Sequence, residues 1–266
     1  MMDFTLNKYK ELLLALRAAG YAITPVSPAR VGEVPVGREG TYPSLSLRHD
    51  VDARPYAAVQ MARLEHALGV RSTYYIRSRE AYNAPEAIRL IVQAGHEIGY
   101  HYEDLSLAHG NPERAWQHFR EELNWLREFY PVRTACMHGA PFSPYDGRDL
   151  WRHYDYHTVG IDCEPYLDLD YSRLLYLTDT GRCWDGYRMS VRDKIIGYQQ
   201  EWNRRGWSFH STDDIIQAAA EGRLPERILL STHPQRWAVN PLQWLYECTS
   251  QPLKNIVKRA LVRKKA

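Results

Sequence analysis

The chain has 266 residues, 44% of them apolar, which is enough for one substantial core and one barrel-sized domain. Its formal charge of +2 is close to balance and gives no reason to expect a nucleic-acid partner. No apolar run approaches the roughly 20 residues of a spanning helix. Met1–Phe4 lacks a basic n-region and Leu12–Leu14 is a short apolar run among charged neighbours, so no secretory leader is expected. The cysteines Cys136, Cys163, Cys183 and Cys248 form no C-x-x-C pair, and a reducing cytoplasm is the expected compartment.

Taken in order, the first helix is expected from Thr5 as N-cap, with Phe4 and Tyr9 spaced as a hydrophobic staple and Gly20 as its stop. Thr24–Pro43, rich in Pro and Gly, reads as a loop. Leu45–His49 alternates as a strand, and Pro55–Leu68 is a helix stopped by Gly69. Then come a strand at Ser72–Arg77, a helix at Ala84–Ala94 capped by Asn83, a strand at Glu97–Tyr100, and a helix at Pro112–Tyr130 capped by Asn111. A strand at Arg133–Met137 and a short helix at Asp146–His153 come next, with weaker strands at His157–Ile161 and Leu174–Leu177. The chain closes with a helix at Val191–Arg204, a strand at Trp207–Phe209, a helix at Asp213–Ala220, a strand at Arg227–Ser231 and a mostly helical Pro241–Leu261. No internal repeat is present.

Strand–helix alternation of this kind implies an α/β fold with a mostly parallel sheet, and seven or eight such units could close into a barrel. One domain over 1–266 is expected, with 1–43 as an N-terminal helix and loop and 241–266 as a C-terminal basic helix. An open doubly wound sheet is the alternative, and it would want a Gly-rich phosphate loop after the first strand, which this sequence lacks.

The strand ends carry the functional signal. His49, Asp50 and Asp52 stand after the first strand, His101, Glu103 and Asp104 after the third, His138 after the fourth, and His233 after the last. In a parallel sheet these side chains gather on one rim although they are far apart in sequence. A lone histidine at a strand end is ordinarily structural. Four strand ends bearing His or Asp point to a metal or acid–base site, with ligands suited to zinc or a similar divalent ion. Asp50 and Asp52, two apart in an extended segment, face one side. Asp52 is also placed to cap the helix beginning near Pro55.

The runs Arg48-His49-Asp50-Val51-Asp52, Gly95-His96-Glu97-Ile98-Gly99-Tyr100-His101 and Leu230-Ser231-Thr232-His233 resemble the motifs of the polysaccharide deacetylase family, carbohydrate esterase family four. The similarity covers about Leu45 to Trp237, and the middle run is its most specific part. The resemblance implies a distorted (β/α) barrel of about seven strands, a divalent metal, most often Zn2+, and hydrolysis of an N- or O-acetyl group. It implies Asp50 as general base, Asp52 and His101 as metal ligands, and His233 as the general acid for the leaving amine. The sequence departs from the family in three places. Val51 splits the Asp pair. Leu105 stands where a second His ligand is usual, so His138 is taken as the third ligand, with Glu103 and Asp104 as rivals. No Arg occurs in Met137–Pro141, where the family often carries one that orients the base.

Glu103, Arg182, Trp184 and Arg236 are candidate substrate contacts: Trp184 to stack on a sugar ring, Arg182 or Arg236 to hold a carboxylate or phosphate. The expected partner is a small nucleotide- or lipid-linked amino sugar used in assembling a surface polysaccharide. The tail, with Lys254, Lys258, Arg259, Arg263, Lys264 and Lys265 among apolar residues, reads as an amphipathic helix able to touch an anionic membrane. Two other functions compete: a metal-independent C–N hydrolase on the same barrel, and a glycan-binding protein without catalysis.

Overall fold

The computed structural model describes residues 2–26, 43–184, 192–195 and 197–250. Its elements are α1 (Leu6–Ala18), β1 (Ala22–Thr24), β2 (Ser44–Val51), α2 (Pro55–Ala67), β3 (Thr73–Ile76), α3 (Ser78–Asn83), α4 (Pro85–Gln93), β4 (Glu97–Tyr102), α5 (Asp104–Leu107), α6 (Pro112–Leu126), β5 (Ala135–Met137), α7 (Pro165–Asp168), β6 (Leu175–Thr178), α8 (Gln199–Arg204), α9 (Thr212–Ala220) and β7 (Arg227–Thr232). Residues 241–250 are also helical.

The seven strands form one parallel sheet in the order β5-β4-β3-β2-β7-β6, with β1 beside the first half of β2. The sheet is curled. Arg48 on β2 donates to Cys136 on β5 and to Tyr176 on β6. In a flat sheet those strands would lie about 14 and 10 Å from β2 on opposite sides. Curling brings the inward side chains of both edges onto one residue. The result is a strongly bent half-barrel with helices outside, as the strand–helix alternation implies.

Period-two alternation divides each strand between the barrel interior and the helix layer. On β2, Arg48 and Asp50 point inward, where they bond Tyr166, Tyr176 and Ser231. His49 points outward. It bonds Thr232 at 2.7 Å, lies 2.8 Å from Glu65 of α2, and stacks on Tyr74. His49 therefore leaves the set of rim residues. Gly99 on β4 allows the sheet to close over the interior, since a Cβ there would meet the Tyr75 ring at 2.4 Å.

Helix starts obey local chemistry. Thr5 accepts from Lys8 N and Asn111 from Arg114 N, as their positions before apolar-periodic runs imply. Asp52 caps nothing: the residue before α2 is Arg54, at φ 54°, with no side-chain cap.

Several expected elements differ. His157–Ile161 is not a strand; Asp155 caps a 3-10 turn at Tyr156–Val159 that Gly160 ends in the left-handed region. Trp207–Phe209 is not a strand either. The Trp207 indole is held by Arg223 O at 2.9 Å, on the chain just after α9. Asn83 does not cap α4, because it ends α3 and Ala84 precedes Pro85. Within the helix expected at Val191–Arg204, only Gln199–Arg204 is helical among the described residues. Residue 191, most of the loop before β2, residues 185–190 and the tail beyond residue 250 lie outside them. Among the described residues no helix is long and apolar enough to cross a membrane.

Candidate active site

The C-terminal ends of β2, β4, β5 and β7 deliver Asp50, Asp52, His101, His138 and His233 to a single cleft, which Asp193 also lines. The convergence expected of a parallel sheet is present, and curling of the sheet produces it.

Asp52, His101 and His138 have ligand-capable atoms within 4.8 Å of one another. His101 Nδ1 donates to Cys136 O at 2.9 Å, which leaves Nε2 directed at the cluster. His138 Nδ1 faces Glu103 Oε2 at 2.8 Å, leaving its Nε2 free in the same way. Asp52 Oδ1 lies 3.3 Å from His101 Nε2 and 3.6 Å from His138 Nε2, yet this buried oxygen has no hydrogen-bond donor. Two imidazole nitrogens and an orphaned carboxylate oxygen, gathered within 4.8 Å of one another, fit a divalent cation with open positions. Burial acts to raise the Asp52 pKa, but His101, His138 and His233 outweigh it and hold the carboxyl well below the usual range. Burial acts to lower the His101 pKa, and Asp50 and Asp52 outweigh it, so that pKa is raised.

Glu103 and Asp104, the rival ligands, do other work. Glu103 lies between His138 and Arg77, with 3.0 Å from Arg77 Nε to Oε1. Against the opposing effect of burial, these two partners bring the Glu103 pKa to about 2. Asp104 turns away to Tyr100 and His118.

Asp50 is buried at the base of the cleft. Its Oδ2 accepts from Arg48 at 3.1 Å and Ser231 at 3.3 Å, while Oδ1 has no partner. Thus an Arg does face this carboxylate, supplied by β2 itself and not by the Met137–Pro141 stretch. Arg48 also bonds Tyr166 and Tyr176, whose hydroxyls both donate to Asp193. The Thr178 and Thr180 hydroxyls donate to the other Asp193 oxygen.

His233 Nε2 lies 3.7 Å from Asp52 Oδ2. On its other side Nδ1 meets Asp179 Oδ1 at 2.6 Å, and its backbone N–H donates to Asp179 Oδ2. Arg236 and the Trp237 indole bind the same carboxylate. Burial acts to raise the Asp179 pKa; His233 and Arg236 prevail and lower it. Asp179 and Asp193 are absent from the set that the sequence suggests. Asp179 directly succeeds β6 and carries the same strand-end signal as the others. Asp193 falls in the stretch that the sequence suggests is a helix from Val191, and carries none.

Two expected substrate contacts are displaced. Trp184 is 5% exposed, stacks on Phe4 and donates to Thr212 Oγ1, so it belongs to the core behind β7 and presents no face to a sugar. Arg182 lies over the Phe4 ring, near Asp3 O, away from the cleft. Arg236 does line the cleft, but its Nη1 is committed to Asp179. Glu103 supports His138.

No family model matches the chain, and no curated protein does. Solved structures do. A carbohydrate esterase family 4 pseudoenzyme of Bacillus anthracis, BA3943, aligns at 10% identity and TM-score 0.42 over 80% of this chain and 60% of its own. The chain thus spans less than two thirds of that protein. A family 4 carbohydrate esterase of Streptomyces lividans, solved with acetate, aligns at 15% identity and TM-score 0.42, covering 82% and 90%. The peptidoglycan deacetylase PdaC of Bacillus subtilis aligns at 12% and 0.39, covering 80% and 95%.

Proposed function

We propose that the protein is a metal-dependent hydrolase that removes an N-acyl group, N-acetyl in the first instance, from an amino sugar. The observation that carries this reading is the cleft itself. It gathers a cation-ready Asp52–His101–His138 cluster, an unpartnered carboxylate oxygen of Asp50 and the imidazole of His233 in one place. Two histidines and one carboxylate favour Zn2+. When bound there, such an ion lowers the pKa of water towards about 7 and polarises an acyl carbonyl.

The chain's own groups then have defined tasks. Asp50 Oδ1 takes the proton of the attacking water, while Arg48 and Ser231 hold Oδ2 and so fix the direction of Oδ1. Water oxygen bonds to the acyl carbon and the C–N bond breaks. His233, oriented by Asp179 through Nδ1, delivers a proton from Nε2 to the departing nitrogen. The products are a carboxylic acid and a free amine. A cytoplasmic role in surface-polysaccharide assembly, on a nucleotide- or lipid-linked sugar, is the setting we favour.

The test combines two measurements on protein purified without chelator. Elemental analysis should find near one divalent ion per chain, lost in Asp52→Ala and His101→Ala. Acylated amino sugars should release acid, and Asp50→Asn should abolish that release while retaining the ion. A chain that holds no metal, and gains no activity from any, overturns the proposal.

A further inference from the structure

The connections that leave β2, β5 and β7 carry Asp52, His138 and His233, and each of them also exposes large apolar side chains. Tyr56, after β2, is 56% exposed; Phe142, after β5, is 76% exposed. After β7, Leu242, Leu245 and Tyr246 are 81%, 56% and 56% exposed. The last three are spaced i, i+3, i+4 within the helical residues 241–250, and so share one helix face. That helix is tied to the cleft. Glu247 pairs with Arg54 at 2.9 Å, and the Arg54 guanidinium lies 5.7 Å from the Tyr246 ring centre. Arg54 is two residues from Asp52. The apolar face therefore sits beside the mouth of the site, attached to the turn that bears a candidate metal ligand.

Sequence charge says what covers it. No acidic residue occurs after Glu247, whereas Lys254, Lys258, Arg259, Arg263, Lys264 and Lys265 do. An apolar face continued by a purely basic stretch supplies the two signals that peripheral attachment to an anionic bilayer requires. A soluble protein partner would account for the apolar residues but not for a charge of one sign in the sequence that follows them.

We propose that this rim is a membrane-contact surface, docking the mouth of the cleft against an anionic lipid bilayer. The corollary is that the substrate sugar is presented from a lipid carrier within that bilayer. The corollary alone rests on the deacylase reading; the docking surface does not.

Vesicle co-sedimentation of the full chain tests it. At low ionic strength the protein should sediment with vesicles of phosphatidylcholine and phosphatidylglycerol at about 7:3, and not with phosphatidylcholine alone. The double variant Leu242→Glu, Leu245→Glu should lose roughly tenfold in partitioning, with circular dichroism and melting temperature unchanged. Leu14→Glu, at a half-exposed apolar site on α1, should bind as the parent does. Three results overturn the proposal: no sedimentation with the anionic vesicles, full binding by the Leu242/Leu245 variant, or a lipid-free dimer that this variant dissolves. Because none of these measurements needs turnover, an inactive protein that still binds vesicles would count against the deacylase and not against the surface. An active protein that does not bind would do the reverse.

Discussion

Arg48 and Asp50 stand two residues apart on one strand, point to the same side, and meet in a buried ion pair of 3.1 Å inside the half-barrel. Side chains at i and i+2 of a strand are ordinarily parallel neighbours. Here the longer one bends toward the C-terminal end of the strand, and its two terminal nitrogens also reach Cys136, Tyr166 and Tyr176. Three aromatic rings, those of Tyr75, Tyr166 and Tyr176, surround the guanidinium within 6 Å. One cation thus balances two carboxylates, Asp50 and Asp193, the latter at 4.0 Å.

Because the guanidinium reaches these partners as a planar fork, lysine is a poor replacement. Arg48→Lys should keep the charge but lose the fixed direction of Asp50 Oδ1, lowering kcat by about 100-fold. Arg48→Met leaves both carboxylates buried without a cation and should cost about 3–5 kcal/mol of stability. Denaturant melts and steady-state rates on the two variants separate the effects. Equal stability losses would mean that charge balance is not what Arg48 provides.

Glu103 lets the assignment of His138 be tested without touching a ligand. It accepts from the far nitrogen of His138 and is itself held by Arg77. If His138 binds the ion, Glu103→Gln should weaken metal affinity about 10- to 100-fold while leaving one site per chain at saturation. Competition against a chromophoric chelator measures this. Unchanged affinity would remove His138 from the ligand set.

The centre of the site was legible in the sequence because convergence in a parallel sheet depends only on which residues stand at or just past the C-terminal ends of the strands. Asp50, Asp52, His101, His138 and His233 all obey that rule and all line the cleft. Orientation was less legible. His49 is one residue from Asp50, yet it faces the helix layer because side chains alternate along β2. Trp184 and Arg182 come soon after β6 but turn back to pack on Phe4, a contact of long sequence separation that no local pattern encodes. Asp193 reaches the site from a stretch whose sequence suggests a helix, not a strand end. Polar caps were readable at Thr5 and Asn111. The false strand at His157–Ile161 arose because an alternating run was overridden by an Asp cap and a left-handed Gly.

The burial of Trp184 carries its own expectation. Trp184→Ala removes a side chain that contacts Phe4 and Trp237 in the core, and should cost about 3–5 kcal/mol. The kcat of the folded variant should stay near that of the parent, since the indole does not face the cleft. Melting temperature and saturating rate, taken below the melt, check this. A large fall in kcat at intact stability would return Trp184 to the substrate site.

Glu65 is fully buried on the outer side of the sheet, between His49, Ser72, Tyr74 and Tyr9. Burial acts to raise its pKa, but His49 and His96, together with the Ser72 hydroxyl, bring it from the ordinary 4.5 to about 2. As pH falls through about 4.5 the unfolded chain takes up a proton that the folded chain refuses until about 2. The unfolded state then binds more protons, and stability drops across that window. A displacement of that size corresponds to about 3 kcal/mol, present above pH 4.5 and gone near pH 2. Glu65→Gln should therefore be less stable than the parent at pH 7, and the gap should narrow between pH 4.5 and 2. Urea melts of both proteins at pH 7, 4 and 3 read the effect directly. A gap that stays constant over this range would mean that the ionised form of Glu65 is not what stabilises the network.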